Sequence, residues 1–149
     1  MRLAIDSNVL VYAADNEAGA RHDAAVDLIR RAAAVDTILP LQVVGEFFAV
    51  VTRKIGLPPK TAAGFVEDWQ GVFLVAAAVP ETIDHAIAAV IAYDLQFWDA
   101  MIWAVADVAG CDILLTEDMQ DGCRLGRVQF VNPFDPANAR LVDTILPSP

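Results

Sequence analysis

Cysteine is nearly absent from this chain. Cys111 and Cys123 are the only two in 149 residues, too few for a disulfide framework, and neither has the nearby partners of a zinc site. They read as small buried or half-buried thiols, which suits a reducing cytoplasm. Basic residues are also scarce, ten against twenty acids, for a net charge of −10. Such a balance excludes broad electrostatic adhesion to nucleic acid or an anionic membrane. It still admits a nucleic-acid enzyme whose carboxylates are offset locally by divalent metal, and it suits a basic partner. Long apolar runs are missing as well. Although 56% of residues are hydrophobic, the longest uncharged stretch is the twelve residues Trp69–Pro80, too short to cross a bilayer as a helix. The opening MRLAIDSNVLVYAAD meets Asp6 after three apolar residues and does not read as a signal peptide. With no repeat, low-complexity tract or Gly/Ser linker, residues 1–149 are expected to form one soluble domain.

What is present alternates. RLAI (2–5) reads as a buried strand that stops at a polar Asp-Ser-Asn loop, and TIL (37–39) as a second strand. The stretch His22–Ala33 has helical spacing. Pro40 opens a helix over LQVVGEFFAVVTRK, which Gly56 and Pro58-Pro59 stop. Lys60–Gln70 reads as a helix, and VFLVAAA (72–78) holds a third strand. Pro80-Glu81 starts the helix ETIDHAIAAVIAY, Phe97–Ala109 forms the next, CDILLT (111–116) is a fourth strand and VQFV (128–131) a fifth. Residues 132–149, with four prolines, read as an irregular tail holding one helical turn around Ala137–Val142. This alternation predicts an α/β sandwich around a central, mostly parallel sheet of about five strands. Ligands in such folds gather at the carboxyl ends of the strands, which draws attention to Asp6 and to the turn Thr116–Asp121.

Four acidic positions stand out. Asp6 closes the first strand, where an Asx turn or helix N-cap is the ordinary role. Glu46 has Val43, Phe47 and Val50 at helical spacing, with Gln42 its only polar neighbour there. Asp99 lies in FWDAMIWAVA, where Phe97, Trp98 and Ala100–Trp103 read as core; a helix cap is its ordinary role. In LLTEDMQDG, spacing does not rank Glu117, Asp118 and Asp121, and an acidic surface turn explains them equally well. Together, two acids follow strand ends and two sit on apolar helix faces, so convergence is the economical account. Converging carboxylates repel unless a cation intervenes, and a hard divalent ion supplies one.

The ordered set AIDSNVLVY, GEFFAV, FWDAMIWAVA and LLTEDMQDG resembles a PIN domain, specifically the VapC-type toxin ribonucleases, and the closing VQFVNPF resembles the end of that family. The resemblance spans about Met1–Phe134. It implies a Mg²⁺- or Mn²⁺-dependent endoribonuclease, usually a homodimer, inhibited by a cognate antitoxin protein. By position, Asp6, Glu46 and Asp99 match the first three family acids and Asp118 the fourth, with Asp121 an additional ligand. Asn8 and Thr116 match the polar residues that support the site. Arg53, Lys54, Lys60, Arg124 and Arg127 are then the candidate RNA phosphate contacts, with solvated surface charge as their alternative role.

Other classes fit less well. A phosphoacceptor receiver needs a late lysine, and no lysine follows Lys60. A haloacid-dehalogenase-like phosphatase wants an aspartate where Asn8 stands. A PIN-fold binding module with weak or no cleavage, and a nuclease acting on DNA, remain the competing readings.

Overall fold

A computed structural model describes residues 1–148. Its six-stranded sheet runs in the order β3-β2-β1-β4-β6-β5, with strands at Leu3–Ile5 (β1), Thr37–Pro40 (β2), Leu74–Ala76 (β3), Ile113–Leu115 (β4), Arg124–Leu125 (β5) and Val128–Val131 (β6). Every pairing is parallel except β5 with β6. All residues of β1 and β4 are buried. Successive strand residues point to opposite faces, so both faces of the sheet centre are covered. The helices that cover it are Ser7–Ala14 (α1), Ala20–Ala32 (α2), Leu41–Val50 (α3), Pro59–Val72 (α4), Pro80–Tyr93 (α5) and Phe97–Val108 (α6), with Ala139–Ile145 (α7) near the C-terminus. Among them α1 packs on α2 and α3, α3 on α4, and α5 on α6. None of the described helices is long and apolar enough to cross a membrane.

Four features depart from the sequence reading. The Asp-Ser-Asn loop after β1 is the start of α1: Asp6 is its N-cap and accepts from the Ser7 N–H. The polar triplet caps a helix whose Val9, Leu10, Ala13 and Ala14 are buried. A sixth strand exists because Gly126, at φ +58°, turns Arg124–Leu125 back along β6; two residues are too few to show a period. The expected irregular tail is largely ordered. A 3₁₀ turn at Pro136–Asn138 leads into α7, and Leu146 is buried. Arg31, itself buried, anchors this segment by donating to Asp143 Oδ1 at 2.9 Å and to the Leu146 carbonyl. Pro149 lies outside the described residues.

One turn of the α3 axis is also wider than expected. Val51–Ile55 continues α3 as a π-helical turn, ended by Gly56 at φ +78°.

Candidate active site

The chain goes from β1 outward to β2 and β3, then returns to the other side of β1 for β4. The direction of winding therefore reverses between β1 and β4, and the carboxyl ends of those two strands border a natural crevice. Asp6 leaves β1 there and donates its N–H to the Leu115 carbonyl at 3.0 Å, while the Thr116 N–H donates to Val131 at 3.0 Å. Backbone bonds thus fix both strand ends before any side chain is considered.

Asp6 is 2% exposed. Its Oδ1 accepts from the Ser7 N–H at 2.6 Å and its Oδ2 from the Thr116 hydroxyl at 2.7 Å. Burial nevertheless pushes its pKa up from 3.8 to about 6, with the Asp118 and Glu46 carboxylates adding to the rise against the two hydrogen bonds. Glu46 reaches the same place from α3, where Val43 one turn earlier and the adjoining Phe47 are buried. Its Oε2 accepts from Ser7 Oγ at 3.0 Å and its Oε1 from Gln42 Nε2 at 2.7 Å. Gln42 also donates to the Trp98 carbonyl at 3.1 Å, which ties α3 to the first turn of α6.

Asp99 sits in that first turn, where a carboxylate is favoured by the helix dipole. Gln96, not Asp99, caps α6: its side chain accepts from the Asp99 N–H at 2.9 Å. Asp99 is half-buried, and desolvation first, then Asp118 and Glu46, holds its carboxyl above the usual range. Trp98 corrects the core reading of its segment, being 56% exposed.

Asp118 is the exposed member. Its N–H donates to Thr116 Oγ1 at 3.1 Å, and its Oδ2 accepts from Asn8 Nδ2 at 3.1 Å. Asn8 Nδ2 also reaches Thr116 Oγ1 at 3.3 Å. Asp6, Glu46, Asp99 and Asp118 therefore share one electrostatic neighbourhood, supported by Asn8 and Thr116. Ser7 and Gln42 are supporting residues that the sequence reading did not single out as such. Their only signal was polarity beside an acid, Ser7 adjoining Asp6 and Gln42 one helical turn before Glu46.

The rest of the acidic turn goes elsewhere. Asp121 accepts from the Asn132 N–H at 2.7 Å and from Asn138 Nδ2 at 2.9 Å, so it clasps the C-terminal segment. Glu117 turns towards Tyr12 and Arg21, accepting from the tyrosine hydroxyl and pairing with the guanidinium at 3.1 Å. Tyr12 closes the AIDSNVLVY stretch but, like Arg21, drew no role from the sequence. Among the basic candidates, Arg53 and Lys54 are exposed on the turn continuing α3, and Lys60 is exposed at the start of α4. Arg127 pairs with Asp112 at 3.1 Å, and Arg124 bonds the Arg127 carbonyl and Gln129. Asp112 precedes β4, so these two arginines lie at the end of the sheet opposite the carboxylates.

The donor set suits a hard divalent ion: four carboxylates, two of them with raised pKa, and no cation among the causes acting on Asp6 or Asp99. In their present rotamers, however, no three acidic, histidine or cysteine side chains among the described residues converge as a chelating group. Ser7, Gln42, Thr116 and Asn8 occupy the carboxylate oxygens instead.

A PIN domain family model matches residues 3–122. No curated protein matches the sequence. Among solved structures, the chain is similar to Mycobacterium tuberculosis VapC20, a sarcin-ricin loop cleaving toxin, at 20% identity over 78% of this chain and 91% of that one, with a TM-score of 0.64. It is similar to a toxin–antitoxin complex from Klebsiella pneumoniae at 17% identity, over 89% and 98%, with a TM-score of 0.64. It is also similar to Rickettsia felis VapBC2 bound to a promoter DNA fragment, at 11% identity over 87% and 97%, with a TM-score of 0.65.

Proposed function

This chain belongs to the PIN domain family, and from that premise we propose that it is a Mg²⁺- or Mn²⁺-dependent endoribonuclease, the cytoplasmic toxin of a toxin–antitoxin pair. The observation that carries this reading is the gathering of carboxylates at the sheet's switch point: buried Asp6 is tied through Ser7 to Glu46 and through Thr116 to Asp118, with Asp99 facing the same cluster. Such a set is costly to the apo fold and is relieved by a cation. The ion, when bound, supplies charge to the scissile phosphate and acidifies a water.

The chain's own residues hold and orient. Asp6, Asp99 and Asp118 would hold the principal ion, and Glu46 would hold a second or orient the attacking water. Asp121 is an outer ligand in this reading only if it leaves Asn138. Ser7 and Thr116 fix the Asp6 carboxylate from both sides, and Gln42 aims Glu46. Arg53, Lys54 and Lys60, all exposed, are the candidate phosphate contacts in this reading, while Arg124 and Arg127, at the other end of the sheet, would meet only a longer RNA.

Incubation with defined RNAs, with and without Mg²⁺ or Mn²⁺, tests the reading beside Asp118→Asn and Asp6→Asn. Cleavage that needs the metal and both aspartates is the expected result. A PIN-fold binding module is the second reading, favoured by the lack of a chelating trio in the present rotamers. Metal-independent binding without cleavage would select it, and cleavage of DNA alone would redirect the substrate.

Two surfaces support the partners. A cavity of about 500 Å³ forms an apolar groove between α3 and α4, lined by Leu41, Val44, Phe48 and Val66. Together with the net charge of −10, it suits an antitoxin segment with apolar anchors and basic flanks. On α5, Ile83, Ile87 and Ile91 are 44%, 45% and 81% exposed. Their spacing of four makes one stripe, the kind of face a homodimer covers.

A further inference from the structure

A cavity of about 250 Å³ opens beside the acidic cluster, walled by Val11, Tyr12, Val50 and Glu117 together with Asn8 and Asp118. Each wall continues from a residue of the site. Val11 and Tyr12 lie four residues past Ser7 and Asn8 on α1, Val50 lies four past Glu46 on α3, and Glu117 precedes Asp118. Residues four apart share a helix face, so the cavity is an extension of the crevice. Pockets for drug-sized ligands run about 300–1,000 Å³; this one has room for a single flat ring system.

Its chemistry narrows the occupant. Val11 and Val50 are aliphatic walls and Tyr12 an aromatic one. The Tyr12 ring is fixed edge-to-face against Phe134, with centroids 5.3 Å apart at 85°. The Arg21 guanidinium lies 5.6 Å from its centroid, and the Tyr12 hydroxyl donates to Glu117 Oε1. Arg21 also donates to Glu117 Oε2 at 3.2 Å. The polar wall is thus held in place before a ligand arrives, which lowers the cost of binding. Arg21 also offsets its charge.

Glu117 is an acceptor only. Oε1 takes the Tyr12 hydroxyl, and Oε2 takes Arg21 Nε at 3.2 Å with Nη2 alongside at 3.1 Å. With about four lone-pair sites on the carboxylate, Oε1 keeps one free and a ligand donor at Oε2 shares that oxygen with the guanidinium. A ligand that matches it must present two donors side by side. Guanine does so on its Watson–Crick edge, through N1–H and the N2 amino group. Adenine and cytosine place a donor beside an acceptor, and uracil flanks its one donor with two acceptors. Unpaired RNA bases are commonly read on this edge while packed against aromatic or guanidinium planes.

We propose that this cavity seats an unpaired guanine adjoining the scissile bond, with Glu117 reading N1–H and N2–H. The assignment rests on the endoribonuclease reading and adds a base preference to it. Four RNAs that differ only in the base at one cleavable step test it against the wild type, Glu117→Gln and Val50→Phe. Glutamine offers one acceptor and one donor where guanine needs two acceptors. The wild type should favour the guanine RNA in kcat/KM by roughly ten- to a hundred-fold, the range of a hydrogen bond to a charged group. Glu117→Gln should bring the four RNAs close to parity. Val50→Phe, which narrows the cavity while leaving the Glu117 carboxylate in the chain, should raise KM for the guanine RNA more than it lowers kcat.

Titration with guanosine and adenosine, read by protein fluorescence, is run in parallel. Cleavage without guanine preference, or with a preference that Glu117→Gln leaves in place, overturns the pocket while the nuclease reading stands. If no RNA is cut, guanosine binding lost in Glu117→Gln keeps the pocket and removes the nuclease. Absence of any such binding then overturns the pocket too.

Discussion

Thr116 gives its hydroxyl proton to Asp6, Oγ1 to Oδ2, over 2.7 Å. The direction is forced, because the same oxygen accepts from Asn8 Nδ2 and from the Asp118 N–H, which uses both of its lone pairs. One buried hydroxyl therefore joins three of the site residues. Thr116→Val keeps the shape and deletes all three bonds. Its expected cost is about 1–3 kcal/mol in urea unfolding, with the activity profile moved to higher pH as Asp6 loses its donor. A variant with wild-type stability and an unmoved profile would show that the hydroxyl is not the hub.

Asp6 makes stability depend on pH in a defined direction. Its pKa is about 6 in the fold against an ordinary 3.8, so the folded state holds more protons between those values. Stability then falls as pH rises from about 4 through 6, and the full penalty, about 3 kcal/mol for the two-unit gap, is present above 6. Asp99, also raised, adds in the same sense. In EDTA, the melting temperature should be lower at pH 7.5 than at pH 5. Mg²⁺ or Mn²⁺ should raise it at pH 7.5 and much less at pH 5. A melting temperature in EDTA that climbs across this range would remove the burial penalty from Asp6.

Asp118 pushes up both Asp6 and Asp99 and is itself exposed, so its removal separates function from folding. Asp118→Asn should lose on the order of 10²-fold or more in cleavage while the metal-free protein melts no lower than wild type. Asp6→Asn is the less clean variant. Both aspartate oxygens accept hydrogen bonds, so an amide must face one donor with another. Calorimetry beside the RNA assay checks both, and a strongly destabilised Asp118→Asn would contradict the charge argument.

Asp121 holds Asn132 and Asn138. Asp121→Ala should loosen the segment leading into α7 and cost about 1–2 kcal/mol, with the metal-dependent rise in melting temperature retained. Loss of that rise, with little change in the apo protein, would instead place Asp121 among the ion's ligands.

Ile87 lies at the middle of the exposed α5 stripe. Ile87→Glu should shift a dimer to a monomer in analytical ultracentrifugation and leave the far-ultraviolet circular dichroism unchanged. A wild-type chain that is already monomeric at micromolar concentration would remove the homodimer from the proposal.

The parts legible in the sequence were those that repeat. The buried runs LAI and ILL form the parallel pair at the centre of the sheet, and α5 and α6 follow their apolar spacing. Capping chemistry was harder to read. Asp-Ser-Asn has the composition of a loop and of a helix start, and the buried Val9 and Leu10 behind it decide for the helix. Similarly, Asp99 looked like a cap, yet Gln96 three residues earlier takes that role. Arg124–Leu125 is too short to show a pattern and had no local signal, whereas the turn read around Ala137–Val142 runs on to Ile145 as α7, held by Arg31 from a distant helix.

Local chemistry thus placed Asp6 at a strand end, Glu46 and Asp99 on apolar helix faces, and Asp118 in an acidic turn. Periodicity and turn composition act over a few residues, and those positions need no more. Which of the turn's three acids faces the others was decided only by tertiary structure. Glu117 is drawn to Arg21 and Tyr12, Asp121 to Asn138, and Asp118 alone to Asn8 and Thr116. Those partners lie between 17 and 110 residues away in the chain, apart from Thr116, and the bonds to Asn8, Tyr12 and Arg21 exist only once the sheet has brought β1 and β4 together.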